Sequence, residues 1–174
     1  MKTTTEKILM VLNVLTWIAF IGLMVEAGIL LVSFILNIAN VKGAWNEYAS
    51  AEWVNLRDFS LWQFSTRISF IVIKKVLQAY TAYLVIKVMS KIKLESPFTV
   101  DVAKMIERIS YFIVVSWSIG LAYNIQTKWL NKFVAGLSET EAAGEYLFLA
   151  GVVFVIAQIF KKGVQIQTEN ELTV

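Results

Sequence analysis

Apolar residues run along this chain in four long blocks separated by polar punctuation. The blocks are Ile8 to Val25 continuing through Ala27 to Ala39, Ile68 to Met89, Ile109 to Ile125, and Tyr146 to Phe160. Crossing about 30 Å of hydrocarbon at 1.5 Å per residue takes roughly 20 residues, and each block is near that length. A backbone in lipid must satisfy its hydrogen bonds internally, so the blocks predict helices. The pattern predicts an all-α, four-helix transmembrane bundle with spans at 8–39, 66–90, 102–130 and 143–163. The remaining segments are two external ones at 40–65 and 131–142, an internal connection at 91–101 and a cytoplasmic tail at 164–174.

The direction of threading follows from the basic residues near membrane ends. With the N-terminus inside, the inner segments carry Lys2, Lys7, Lys87, Lys91, Lys93, Lys104, Arg108, Lys161 and Lys162. The outer ones carry Lys42, Arg57, Arg67, Lys128 and Lys132. That imbalance favours both ends on the cytoplasmic side. The basic start could also suit a signal peptide, but the first apolar run is too long and a second follows at once, which argues for an uncleaved first helix.

The external segment 40–65 is unusually aromatic for a connection. Trp45, Tyr48, Ala49, Trp53 and Leu56 recur at steps of three and four, with Asn46, Glu47, Asn55 and Asp58 between them. That is the pattern of an amphipathic helix on the membrane surface. An aromatic belt anchoring the helices is the plainer interpretation, and a lid or docking surface the sharper one.

Composition agrees: 57% apolar residues, 13% aromatics, 17% charged residues and one proline describe a membrane domain rather than a soluble one. Cysteine and histidine are both absent. Disulfides, thiolate chemistry, histidine-ligated haem and the commonest zinc sites fall away with them, so no cofactor or metal centre is expected. An enzyme is not expected either, because a nucleophile with its base and paired carboxylates are both missing. Ser116, Ser118, Trp17 and Trp117 are taken as helix-packing residues.

Three charges lie inside the apolar blocks: Glu26 in the first, and Lys74 with Lys75 in the second. Charge at membrane depth is costly and marks pairing or function. Glu26 lies about 27 Å along an outward-running first helix, and the lysines roughly 15 Å below the outer end of the second. The depths allow a Glu26 pair with Lys74 or Lys75. Gln78 stands one turn after the lysines, and with Asn124 and Gln126 it could complete a small polar site.

In the internal connection, Pro97 biases Ser96 away from helix, Thr99 suits an N-cap, and Phe98 could staple onto Ala103. The chain ends on Lys161, Lys162, Gly163, Gln167, Glu169, Leu172, Thr173 and Val174. This layout resembles the bacterial integral membrane proteins grouped as domain-of-unknown-function family 2975. The likeness lies in the length, the four spans, the Pro97-Phe98 pair before the third span and the C-terminal residues. Ile166 stands where leucine often precedes the glutamine, and Glu171 where aspartate is usual.

The resemblance implies a bacterial inner-membrane protein, encoded near small helix-turn-helix regulators. It assigns no residue a role. Taken together, the sequence predicts a non-enzymatic regulatory or sensory protein acting through a cytoplasmic partner such as a helix-turn-helix regulator. Its partner surface would be Pro97, Phe98, Lys162, Gly163, Gln167, Glu169, Leu172 and Thr173. The alternative is a small transporter or channel using Glu26, Lys74, Lys75 and Gln78. Membrane lipid is an expected partner, self-association is allowed, and direct nucleic-acid contact is not expected.

Overall fold

The computed structural model describes residues 4–39, 41, 48, 50–92, 98–139 and 144–172. Among them there are five helices: α1 (Thr4–Ile38), α2 (Ala51–Phe59), α3 (Leu61–Lys91), α4 (Val100–Leu130) and α5 (Gly144–Leu172). The four longer ones are long and apolar enough to cross a membrane. The short α2 lies within the segment 40–65.

Helix ends follow local chemistry. Ser60 adopts an extended backbone, ends α2 through its N–H to the Leu56 carbonyl, and caps α3 by accepting from the Gln63 N–H. It therefore starts the second spanning helix at Leu61, five residues before the boundary at 66 that hydropathy suggests. Thr99 caps α4 by accepting from the Val102 N–H at 3.3 Å. After α4 the chain folds back through Gly136, whose φ of +87° suits glycine. Asn131 closes this loop, donating to the Leu137 carbonyl at 3.1 Å and accepting from the Leu137 N–H at 3.0 Å. At the other end, residues 164–172 continue α5 rather than leaving it as an irregular tail.

The bundle is open. α1 packs on α3, α3 on α4, and α4 on α5, with α2 resting on α3 and reaching α1 through the Arg57–Asn37 hydrogen bond. Lipid supplies no hydrophobic drive between helices, so small residues that permit close approach dominate such seams. Ala150 and Ala157 are the buried residues of α5, and Ala27, Ser33 and Asn37 those of α1. The large apolar side chains of both helices, Ile18, Ile35, Phe148 and Val155 among them, face outward.

Two apolar clusters hold the row together. One, at the α2 end of the bundle, joins Tyr48, Leu56, Phe64, Ile68, Leu130, Val134 and Leu137. The other, toward the start of α4, joins Leu84, Val88, Val102, Ile106, Ile109 and Ala157. Between them, α3 presents Lys74, Gln78 and Thr81, and α4 presents Ser116, Trp117 and Gly120.

The aromatic external segment divides by role. Tyr48 and Leu56 are buried, and Trp53 packs edge-on against both Tyr48 and Phe64. The Tyr48 hydroxyl donates to the Leu30 carbonyl on α1, and Arg57 donates to Asn37 at 3.2 Å. These residues form a packed cap over α1, α3 and α4. Trp62, Phe59, Trp129 and Phe133 remain exposed, with Phe59 and Phe133 stacked, as an interfacial belt would have them. Trp45 lies outside the described residues.

Candidate functional site

Two polar constellations stand out, one under the cap and one between the apolar clusters. The first is built on Arg67, two turns into α3 and fully buried. Its guanidinium donates to Thr127 Oγ1 at 2.6 Å and to the Ser138 carbonyl at 2.6 Å, and it pairs with Glu52 at 3.4 Å. The Tyr123 ring lies 4.3 Å away and the Trp53 ring 5.3 Å away, so the cation also faces aromatic surfaces. Glu52 is held in turn by the N–H and hydroxyl of Ser138, each at 3.1 Å. Four segments meet on one cation: α2, α3, α4 and the loop after α4 at Ser138.

This arrangement ties the cap to the span rather than presenting an open binding site. The sequence pattern counts Arg67 with the outer basic residues, at the very start of the span at 66–90, and singles out nothing at Glu52. Ser60 is the signal that could have revealed it, since a helix beginning at Leu61 puts a charge within the span where partners are required.

The second constellation holds the intramembrane charges. Lys75 Nζ donates to Glu26 Oε2, joining α3 to α1. Both side chains are partly exposed on the outer side of that seam. Lys74, about 100° around the helix, points the other way. It lines a cavity of about 220 Å³ with Gln78, Thr81, Ser116, Trp117, Gly120 and the start of α5. A smaller pocket of about 130 Å³, also lined by Lys74 and Gln78, continues it past Lys75, Ile119 and Tyr123.

The two adjacent lysines thus lie on different faces of α3, Lys75 toward Glu26 and Lys74 in the lining of the cavity. Gln126 does not join them: it donates to Gln63 at 2.9 Å, nearer the α2 end of the bundle. Ser118 donates back to the Val114 carbonyl and takes no part in the cavity lining. Trp117 lines the cavity with part of its side chain. Its Nε1 is buried and has no hydrogen-bond partner among the described residues. Groups of three or more acids that could hold a metal are absent among the described residues.

At the opposite end, the residues proposed as a partner surface are partly used internally. The Phe98 ring stacks obliquely on Phe160, with centroids 5.2 Å apart, and lies against Gly163. A Cβ on that glycine would fall 2.6 Å from the Phe98 ring. Lys161 Nζ donates to Glu107 on α4 at 2.6 Å, and Lys91 to Asp101 at 2.8 Å, so α3, α4 and α5 are also joined by ion pairs at this end. Lys162, Gln165 and Glu169 are exposed on the continuation of α5, and Gln167 is half-buried. Pro97, Thr173 and the side chain of Leu172 lie outside the described residues.

Comparison with curated proteins and with solved structures finds no match. A family model described as "Protein of unknown function (DUF2975)" matches residues 40–174, taking in the cap, the cavity and the Phe98–Gly163 contact. The chain belongs to that family of proteins of unknown function.

Proposed function

We propose that this is a non-enzymatic regulatory or sensory protein of the bacterial cytoplasmic membrane, with both ends inside, acting on a cytoplasmic protein through the inner end of α5. The observation that carries this reading is the continuity of α5. Phe98, just before α4 begins, meets Gly163, so residues 164–172 project past the end of α4 by about 14 Å at 1.5 Å per residue. The end of α5, bearing Gln165, Thr168 and Glu169 beside the exposed Ile166, offers the mixed surface used in helix-in-groove docking.

The same helix touches every layer that could inform it. Its first turns border the central cavity, its middle packs on α4 through Ala150 and Ala157, and its Lys161 pairs with Glu107. A helix-turn-helix regulator is the partner class to expect. A small transporter is the second reading, favoured by the Lys74 cavity. It is the weaker one, because α3, α4 and α5 run unbroken through the span, and midplane transport sites are usually built on interrupted helices.

The test is affinity purification from the native membrane, comparing the full chain with one ending at Lys162 and with a Gln165→Ala, Glu169→Ala variant. Loss of one cytoplasmic protein in both variants is the expected result. Partners unchanged by either would sink the regulatory reading.

A further inference from the structure

We propose that two copies of this chain associate through the seam between α1 and α3, with Glu26 and Lys75 of each copy completing the other's ion pair. Lys75 stands next to the midpoint of α3 and Glu26 about 7 Å past that of α1, so both lie within the roughly 15 Å half-thickness of the hydrocarbon. At that depth an ion pair is favourable only where further hydrogen bonds occupy the remaining protons and lone pairs. The bond from Lys75 to Glu26 uses one ammonium proton and one carboxylate oxygen, Oε2. Among the described residues Glu26 Oε1 and the other two protons meet no partner, and the two side chains stay 54% and 33% exposed. The pair is neutral as a whole, so what completes it must itself carry both signs. A zwitterionic headgroup does, but it sits at the membrane surface. A second copy carries both signs at the right depth.

Copies inserted in the same direction are related by a two-fold axis along the membrane normal, which brings together residues of equal depth. Glu26 and Lys75 touch, so they share a depth. The axis therefore sets Glu26 against the partner's Lys75 and Lys75 against the partner's Glu26, in a square with like charges on its diagonals. The surface of α1 suits this approach. Its side bearing Glu26 carries Ile8, Leu12, Leu15, Ala19 and Gly22 at steps of three and four, all exposed. That is the spacing of a left-handed helix pair, and the two positions nearest Glu26 are small ones that let backbones come close. A Cβ on Gly22 would meet nothing within 4 Å, so the chain's own fold leaves this surface open. The inference stands whether or not α5 engages a protein.

The experiment is disulfide cross-linking of the full chain in native membranes, where an introduced cysteine is the sole thiol of the chain. Gly22→Cys lies on the Glu26 side of α1, and Gly28→Cys about 120° around the helix from it. A side chain at either glycine meets open space, so both variants should fold alike. We expect oxidation to join Gly22→Cys into a species of twice the mass and to leave Gly28→Cys single. Adding Glu26→Gln with Lys75→Met, which keeps the span neutral, should cut the yield about tenfold, while monodisperse elution shows that the fold persists. Adding the reversed pair, Glu26→Lys with Lys75→Glu, should preserve the yield. Membranes holding differently tagged native-charge and reversed-charge copies should give few cross-links between the two kinds, because glutamate then faces glutamate and lysine faces lysine. Equal cross-linking at both glycines, a yield indifferent to the loss of both charges, or mixed pairs as frequent as matched ones would overturn the proposal. So would a Gly22→Cys adduct of any mass other than two chains, which would seat a different protein on this face.

Discussion

The ring of Phe98 occupies the space that a side chain on Gly163 would need, with Cδ1 2.6 Å from where a Cβ would stand and Cγ at 2.8 Å. Both atoms are near the root of the ring, so no small rotation of a flexible tip relieves the clash. Gly163→Val should therefore expel Phe98 from its place against Phe160 and lower thermal stability, by about 1–3 kcal/mol as overpacking generally does. Phe98→Ala should cost less, and adding it to Gly163→Val should return part of the loss. Thermal unfolding of the four proteins in one detergent gives the coupling. Additive effects would mean that the two residues do not share this contact.

Arg67 makes the opposite kind of site, one in which every partner depends on one charge. Removing Glu52 leaves the guanidinium buried with neutral acceptors and two rings, whereas removing Arg67 leaves Glu52 with Ser138. Breaking a buried pair by truncating one member costs about 3–5 kcal/mol. Arg67→Met should approach that range and Glu52→Gln fall below it, because Glu52 keeps some exposure and glutamine still accepts from Ser138. Arg67→Lys should fail to rescue, since a single ammonium cannot reach Thr127, Ser138 and Glu52 in a planar fork. Limited proteolysis of the external segment reports the outcome, with cleavage expected to speed up most in Arg67→Met.

The spanning helices were legible because periodicity over some twenty apolar residues is a strong signal. Glu26 and the lysines stood out for the same reason, as charges against an apolar background. Two things were less visible. Trp45 to Leu56 carried an amphipathic spacing, but the packing of Tyr48 and Trp53 into a cap depends on Phe64 and Leu130, distant in sequence. Phe98 and Gly163 could be read only as separate motifs, one a helix start and the other a helix end. Sixty-five positions apart, they meet because α5 runs back along α4, a fact of tertiary order that no local pattern encodes. The cavity was hidden for a related reason: its lining comes from α3, α4 and the start of α5, which no local pattern brings together.

The absence of cysteine makes orientation directly measurable, since each introduced cysteine is the sole thiol in the chain. Lys132 and Lys104 are both exposed and stand near opposite ends of α4. With both termini inside, Lys132→Cys should react with a membrane-impermeant maleimide in intact cells, and Lys104→Cys only after permeabilisation. The reverse pattern would turn the protein over and place the projecting end of α5 outside, where no cytoplasmic partner could reach it.

Glu26 and Lys75 supply the remaining test of how charge is tolerated at this depth. The two side chains meet at the α1–α3 seam while keeping 54% and 33% of their surface exposed, so each needs the other more than either needs a buried pocket. Neutralising one should leave the other alone beside hydrocarbon, at about 2.5–3.5 kcal/mol on an insertion scale. Glu26→Gln and Lys75→Met should each reduce the amount of folded protein in membranes, and the double variant should recover most of it. The reversed pair, Glu26→Lys with Lys75→Glu, should recover it as well if mutual neutralisation is what matters. Fluorescence-detected gel filtration of solubilised membranes measures all four. A double variant no better than the singles would mean that the pair fixes helix register through geometry, and that charge balance at the seam is secondary.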